Sequence, residues 1–160
     1  MDKKQINNIK ALNIGCGPVT RWLPHTEGLD MQDFGQKYVG DIMTWKPPYE
    51  YDVVFIHHVV EHIQDTIALF EKLGEIVKVG GVIDIRVPTL PFPQAHIDPT
   101  HVKFIPQQAD LFFAYFTDKS MAGHCYTKCK YELVEANGKT LENDRYQWEA
   151  HVALKLIKKA

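Results

Sequence analysis

Cysteine is scarce in this chain of 160 residues, which contains only Cys16, Cys125 and Cys129. Three cysteines cannot complete the paired framework that small secreted domains use to compensate for a thin core. A zinc site within residues 124–129 would have at most three soft ligands, whereas structural zinc sites hold four, so we interpret this stretch as a loop before a strand. The low cysteine content favours a reducing compartment.

Long apolar runs and basic stripes are also lacking. No stretch approaches the roughly 20 apolar residues of a membrane span, and the first residues are polar rather than typical of a secretion signal. We therefore expect a cytoplasmic protein without a membrane span. The formal net charge is −2, and the lysines and arginines are scattered, so we expect no nucleic-acid partner.

The sequence does contain an alternation of short apolar segments and turn residues, which is typical of a parallel sheet with crossover connections. No repeat or linker divides it, so a single domain over residues 1–160 is predicted. The predicted fold is α/β and Rossmann-like, with a mostly parallel seven-stranded sheet, helices on both faces and an antiparallel C-terminal strand. Strands are predicted at residues 10–14, 27–30, 38–42, 51–56, 82–87, 131–135 and 147–157.

One helix is predicted after the fourth strand, with Asp65 as its N-cap and Gly80-Gly81 as its C-terminal stop. Apolar residues recur between them at helical spacing, at Phe70, Leu73, Ile76 and Val77. Because eleven residues separate Gly15 from Glu27, the first crossover must be short.

A proline-rich segment, residues 88–106, follows the fifth predicted strand, and we expect it to form a loop that faces the substrate. Pro106 can occupy the first turn of a second helix. We interpret the aromatic residues of that helix as core.

The first predicted strand ends in the glycine turn Gly15-Cys16-Gly17. Glycine permits a close approach of the backbone to a ligand and φ angles that other residues resist. Dinucleotide-binding proteins carry a third glycine three residues after the second, but this chain has Thr20 there and Pro18 directly after Gly17. A dinucleotide such as NAD or FAD is therefore disfavoured.

Two aspartates, Asp30 and Asp41, close the second and third predicted strands. The carboxyl ends of parallel strands meet in one crevice, where a carboxylate such as that of Asp30 can accept hydrogen bonds from both hydroxyls of a ribose. Gly15, Asp30, Asp41 and His57 could thus line one nucleoside-sized pocket. Taken singly, each aspartate could instead be a strand-end turn residue.

Together, the segments at residues 12–18, 28–30, 40–42 and 58–62 resemble the class I S-adenosylmethionine-dependent methyltransferases, in particular the methyltransferase type 11 group. The resemblance covers about residues 10–105. It implies a methyltransferase of the EC 2.1.1 class with S-adenosylmethionine as its cofactor.

The same resemblance implies roles for individual residues. Gly15, Cys16 and Gly17 would pass under the methionine moiety, Asp30 would hold the ribose, Met31 would pack on adenine, Asp41 and Ile42 would meet the adenine edge, and the backbone near His57 would accept from the methionine ammonium group. Asn13 stands where many members carry an acidic residue, and its amide can still orient the glycine loop.

Three histidines are candidate catalytic bases. His58 and His62 would lie at the mouth of the cofactor pocket, where a histidine can take a proton from a nucleophile, or alternatively they cap the strand-to-helix turn. His101 follows Asp98 in the proline-rich loop and could act with that carboxylate, or alternatively cap the next helix.

Residues 58–62 also match the His-x-x-Glu-His pattern of zinc enzymes, in which a regular helix places both histidines on one face. Because the segment falls where the chain turns, no metal is expected. The predicted function is methyl transfer to a small-molecule or sugar- or lipid-linked acceptor, with an oxygen nucleophile favoured. The alternatives are a non-catalytic adenosylmethionine-binding or scaffold module and a zinc hydrolase using His58, Glu61 and His62.

Overall fold

The computed structural model describes residues 9–117, 126–137 and 149–160. Within these residues one seven-stranded sheet has the order β3-β2-β1-β4-β5-β7-β6. Its strands are β1 Ala11–Ile14, β2 Glu27–Asp30, β3 Tyr38–Val39, β4 Tyr51–His57, β5 Val77–Pro88, β6 Lys130–Asn137 and β7 Glu149–Lys158. Strands β1 to β5 pair in parallel, whereas β7 is antiparallel to both β5 and β6. The predicted Rossmann-like sheet with its antiparallel C-terminal strand is confirmed.

Two α-helices lie in the described residues, α1 at Thr66–Ile76 and α2 at Ala109–Ala114. Single 3₁₀ turns occupy Val19–Arg21, Val60–His62 and Pro93–Ala95. The first crossover, between β1 and β2, contains only the first of these turns, which confirms the prediction that it is short. Neither helix is long and apolar enough to cross a bilayer.

Helix α1 forms as its sequence predicts. The Asp65 side chain accepts a hydrogen bond from the Ala68 amide at 2.9 Å, which satisfies one of the free N–H groups of the first turn. The core-facing side chains of the helix are fully buried at Leu69, Phe70, Leu73 and Ile76. Each such burial stabilises the fold by about 1.5–3 kcal/mol.

The predicted end of this helix at Gly80-Gly81 is wrong. Helix α1 ends at Ile76, and Val77 already pairs with Tyr51, so β5 begins five residues before its predicted start at residue 82. The β-branched side chain of Val77 favours a strand. Gly81 therefore lies inside the strand and does not end the helix. Glycine suits this position because a Cβ there would lie 2.9 Å from the Asp52 carbonyl oxygen.

Two further boundaries differ from the prediction. Strand β3 stops at Val39, so Asp41 lies in a turn, where its Oδ1 accepts from the Met43 amide at 2.9 Å and its carbonyl oxygen from the Trp45 amide at 2.8 Å. Pro106 precedes α2, which begins at Ala109.

The aromatic residues of the second helical segment are largely core, as predicted, since Phe113 and Phe116 are buried. Residues 124, 125, 147 and 148 of the predicted loop and last strand lie outside the described residues. Along β7 one face is buried, at Ala150, Val152, Leu154 and Leu156, and Ala153 is buried as well.

Candidate functional site

The glycine turn after β1 has a backbone that favours glycine. Gly15 and Gly17 have φ angles of 66° and 60°, in the left-handed region. A Cβ on Gly15 would overlap the Cγ2 methyl group of Val59. The Gly15 amide donates to the Leu29 carbonyl oxygen at 2.8 Å, so the turn is held against β2.

Asp30, at the end of β2, holds this glycine loop directly. Its Oδ2 accepts from the Gly17 amide at 2.8 Å, and its Oδ1 accepts from the Gln32 amide at 3.0 Å. Each carboxylate oxygen can accept more than one hydrogen bond, so both keep capacity for a further donor. The carboxylate and the glycine loop thus form one rigid unit.

A cavity of about 490 Å³ opens beside the glycine loop, at the carboxyl ends of the central strands. It is lined by Asn13, Gly15, Cys16, Arg21, Leu23, His57, His58, Arg86 and Glu149. Five residues of the sequence prediction are therefore brought together here. A second cavity, of about 540 Å³, lies beside α1 and α2 and shares no lining residue with the first.

The other predicted cofactor residues lie outside the lining of this cavity. Met31 follows Asp30 and is 72% exposed. Asp41 lies in the turn after β3, and the side chain of Ile42 is buried in the core. The structure therefore leaves the side chain of Met31, but not that of Ile42, open to contact a ligand.

Two lining residues are buried on or next to β1. Asn13 is 4% exposed and pairs with Gly28 of β2 and Phe55 of β4. Cys16 is 3% exposed, and burial raises the pKa of its thiol, so it is a small apolar wall of the cavity rather than a nucleophile.

His57 is fixed by a cluster that spans three strands. Its Nε2 donates to Asp84 Oδ1 at 2.6 Å, and His151 Nε2 donates to Asp84 Oδ2 at 2.7 Å. Burial alone would raise the pKa of Asp84, but these two hydrogen bonds outweigh it and lower the pKa below its usual value. The carboxylate stays ionised and orients the His57 ring beside the cavity.

His58 has a backbone conformation that is uncommon outside glycine, with a φ of 56°. Its amide donates to the Arg86 carbonyl oxygen at 2.8 Å, and its Nε2 donates to Glu149 Oε2 at 2.6 Å. The interaction with Glu61 raises the pKa of His58 above its usual value, against the effect of burial, and Glu149 adds to this rise. His58 therefore favours the protonated form at the cavity wall.

His62 and His101 lie together, with ring centroids 4.7 Å apart in an edge-to-face arrangement. His62 comes from the 3₁₀ turn after β4 and His101 from the proline-rich loop, and neither lines the cavity beside the glycine turn. The three predicted bases are thus divided between the cavity wall, occupied by His58, and this adjacent pair.

Four lining residues were missed by the sequence reasoning, namely Arg21, Leu23, Arg86 and Glu149. Arg86 is near the end of β5, where the parallel-strand rule could have found it. Arg21 lies in the short first crossover, and Glu149 begins β7, 91 residues after its partner His58. No local pattern could have indicated Glu149, because only the antiparallel pairing of β7 with β5 brings it there.

Solved methyltransferases share this fold over nearly the whole chain. A SAM-dependent methyltransferase from Archaeoglobus fulgidus superposes with a TM-score of 0.60 at 18% identity, over 96% of this chain and 90% of that one. The N-methyltransferase NodS from Bradyrhizobium japonicum gives 0.63 at 11% identity, over 94% and 86%. The plantazolicin methyltransferase BpumL, solved with SAH, gives 0.61 at 16% identity, over 96% and 80%. The chain therefore has the fold of the class I methyltransferases that its motifs resemble.

No family model matches the chain. A curated relative, trans-aconitate 2-methyltransferase from Rhizobium rhizogenes, is 29% identical over 98 residues. This match covers 49% of the chain and 38% of the relative, so the chain spans well under half the length of that protein.

Proposed function

We propose that this chain is an S-adenosylmethionine-dependent methyltransferase that binds its cofactor at the cavity beside the glycine turn. The hydrogen bond between Asp30 and the Gly17 amide carries the proposal, because it joins the carboxylate suited to a ribose to the loop suited to a close backbone approach. The cavity volume of about 490 Å³ falls within the usual range for small-molecule sites. The fold and the curated methyltransferase relative support the same reading.

The cofactor would extend from the cavity past the end of β2, because Asp30, Met31, Asp41 and Ile42 lie outside the cavity lining. Asp30 would accept from the ribose hydroxyls, and the exposed Met31 would pack on the adenine, whose edge would meet the backbone at Asp41 and Ile42. The methionine end would lie over residues 15–17 toward Asn13 and the backbone at His57. Arg21 and Arg86 also line the cavity, and a guanidinium group suits a carboxylate such as that of the methionine moiety.

When bound, the cofactor supplies a methyl group on a positively charged sulfur. Transfer is an in-line displacement in which that charge disappears, so the tasks of the protein are alignment and exclusion of water. The fixed rings of His57 and His58 and the buried Asn13 give the cavity a rigid wall for this purpose.

The acceptor that fits this cavity best is a small molecule bearing a carboxylate, within the predicted group of small or sugar- or lipid-linked acceptors. Arg21, Arg86 and His58 place three basic side chains around the cavity, and the latter two lie beside its one lining carboxylate, Glu149, which leaves Arg21 as a guanidinium group for an acceptor carboxylate. A carboxylate oxygen attacks without first losing a proton. This proposal therefore needs no base, and the role of His58, His62 or His101 as a base stays a prediction.

Calorimetric titration with S-adenosylmethionine and S-adenosylhomocysteine tests cofactor binding. We expect both to bind the wild type, and Asp30→Asn to weaken binding by about 10- to 100-fold, since hydrogen bonds to a charged group contribute about 1.5–3 kcal/mol. The matched control is Asp33→Asn, because Asp33 is exposed in the same loop and accepts only locally, from the Gly35 amide at 2.9 Å.

The outcomes separate the cofactor from the acceptor. Absence of binding by both ligands would contradict the proposed function. Methyl transfer from labelled cofactor to a panel of small carboxylic acids, with matching alcohols and amines, then tests the acceptor. Binding without turnover on any acid would reject the carboxylate proposal, and binding without turnover on any member of the panel would favour the non-catalytic module.

A further inference from the structure

Glu61 is a buried carboxylate outside the lining of the proposed cofactor cavity. The residue is 0% exposed, and both carboxylate oxygens are buried without a hydrogen bond from any part of the chain that the structure describes. The nearest basic side-chain atoms are His58 Nδ1 at 3.6 Å and His101 Nε2 at 4.0 Å, both beyond hydrogen-bonding distance. A buried carboxylate without a hydrogen bond carries a large desolvation cost, which a cation bound directly to its oxygens would offset.

Two histidines stand next to this carboxylate. One ligand atom each from Glu61, His62 and His101 lies within 4.8 Å of the other two. A tetrahedral ion that holds nitrogen and oxygen ligands at about 2.0–2.2 Å places them about 3.3–3.6 Å from one another. An inward movement of at most about 1.5 Å would therefore place all three around one ion.

The hydrogen bonds of the two rings leave one nitrogen of each with a free lone pair. His101 Nδ1 donates to the Ala95 carbonyl oxygen at 2.9 Å, so its Nε2 carries the lone pair. The single proton of Thr100 Oγ1 is donated to Asp98 Oδ1 at 2.6 Å. Thr100 Oγ1 must therefore accept from His62 Nδ1 at 3.0 Å, which leaves His62 Nε2 with its lone pair.

This arrangement is typical of metal-ligating histidines. Such a histidine donates its second ring N–H to a backbone carbonyl or toward a carboxylate, which fixes the tautomer and the ring orientation. His101 Nδ1 donates to the Ala95 carbonyl oxygen. His62 Nδ1 donates to Thr100 Oγ1, which in turn donates to the Asp98 carboxylate. The cluster thus combines an orphaned buried carboxylate, two oriented imidazoles and their supporting partners.

We propose that Glu61, His62 and His101 bind a divalent transition metal ion, specifically Zn²⁺. Two imidazoles and a carboxylate are a known zinc donor set that leaves a fourth position open, whereas Mg²⁺ prefers oxygen ligands throughout. His62 is partly exposed, so an ion can reach the buried carboxylate past this residue, whereas the His101 side chain is only 7% exposed.

This ligand set differs from the one the His-x-x-Glu-His pattern predicts. That pattern requires His58 and His62 on one helical face, but residues 60–62 form a single 3₁₀ turn and His58 points its Nε2 to Glu149. The second imidazole comes instead from His101, 39 residues after His62 in the chain. His58 then separates the ion from the proposed cofactor cavity.

The test is metal binding by the untagged, chelator-treated full chain, measured without cofactor so that it stands apart from the proposed function. We expect one equivalent of Zn²⁺ to bind, and Co²⁺ to give the visible absorption of a low-coordinate nitrogen–oxygen site that Zn²⁺ abolishes. Millimolar Mg²⁺ should not compete. Absence of stoichiometric Zn²⁺ binding, or equal competition by Mg²⁺, would overturn the assignment.

Variants locate the site. His62→Gln and His101→Gln should each weaken Zn²⁺ binding more than tenfold, whereas His96→Gln, an exposed histidine of the same loop, should change it less than twofold. Thr100→Val alters an exposed residue, so it should fold normally; it removes the Oγ1 that orients the His62 ring but keeps the carbonyl oxygen 3.3 Å from His62 Nδ1, so it should weaken binding by less than tenfold. Equal loss of binding in the His96 variant, or none in the other three, would place the ion elsewhere.

Discussion

Among the acidic residues that the structure describes, Glu27 has the most hydrogen-bond donors around it. Its carboxylate accepts from Lys37, Tyr38, Tyr49 and Tyr51 at 2.5–3.1 Å. Burial acts to raise the pKa of Glu27, but these four hydrogen bonds outweigh it and lower the pKa to about 2. The ionised carboxylate therefore ties the start of β2 to the start of β4.

A pH-dependent stability follows from this residue. Because the pKa of Glu27 is lower in the folded chain than in the unfolded chain, its ionised carboxylate stabilises the fold at pH values above the unfolded pKa, near 4.5. This stabilisation is lost as the pH falls toward about 2. We expect Glu27→Gln to lower the free energy of unfolding by about 1–2 kcal/mol at pH 7. In urea titrations the difference in free energy of unfolding between this variant and the wild type should become smaller as the pH falls from 4.5 toward 2.

Glu75→Gln is the matched control, since Glu75 is 65% exposed and its ion pair with Lys72 should contribute little. If Glu27→Gln differed from the wild type in free energy of unfolding as much at pH 2.5 as at pH 7, the assigned ionisation of Glu27 would be contradicted.

At the scale of the element, helix α1 depends on its cap. We expect Asp65→Ala to lower the free energy of unfolding by about 1 kcal/mol, because the Ala68 amide loses its acceptor. Asp65→Asn should retain most of the stability, since asparagine caps equally well. Chemical denaturation of the three proteins measures this, and equal losses in both variants would mean that the charge rather than the cap matters.

The elements also show where local pattern is sufficient. Strand β2 has its predicted bounds of Glu27–Asp30, and α1 begins after its predicted cap, because both depend on residues within one turn or strand. The junction at Val77 could not be predicted in this way. There the pairing with Tyr51 overrides the apparent glycine stop, and a strand forms where the periodicity suggested helix.

At the scale of the whole molecule, the cavity joins distant parts of the chain. His58 from the end of β4 contacts Glu149 from β7, and Gly15 is held against Leu29. A ligand in this cavity therefore binds the folded chain and not the unfolded one.

We expect S-adenosylhomocysteine at a hundred times its Kd to stabilise the fold by about 2.7 kcal/mol, which corresponds to a rise in Tm of roughly 5–10 °C for a chain of this size. Thermal unfolding followed by circular dichroism measures the shift. NAD serves as the control ligand and should give none, since the glycine loop lacks the dinucleotide pattern. A comparable shift with NAD would contradict the assigned cofactor.

The sequence by itself determined the sheet, the glycine turn and the aspartate that ends β2, because strand propensity, glycine conformation and strand-end position are local properties. Only the tertiary structure decided that Asp30 holds Gly17, that Glu149 faces His58, and that His101 joins Glu61 and His62. These contacts depend on which strands and loops become neighbours, and an isolated stretch of sequence does not carry that information.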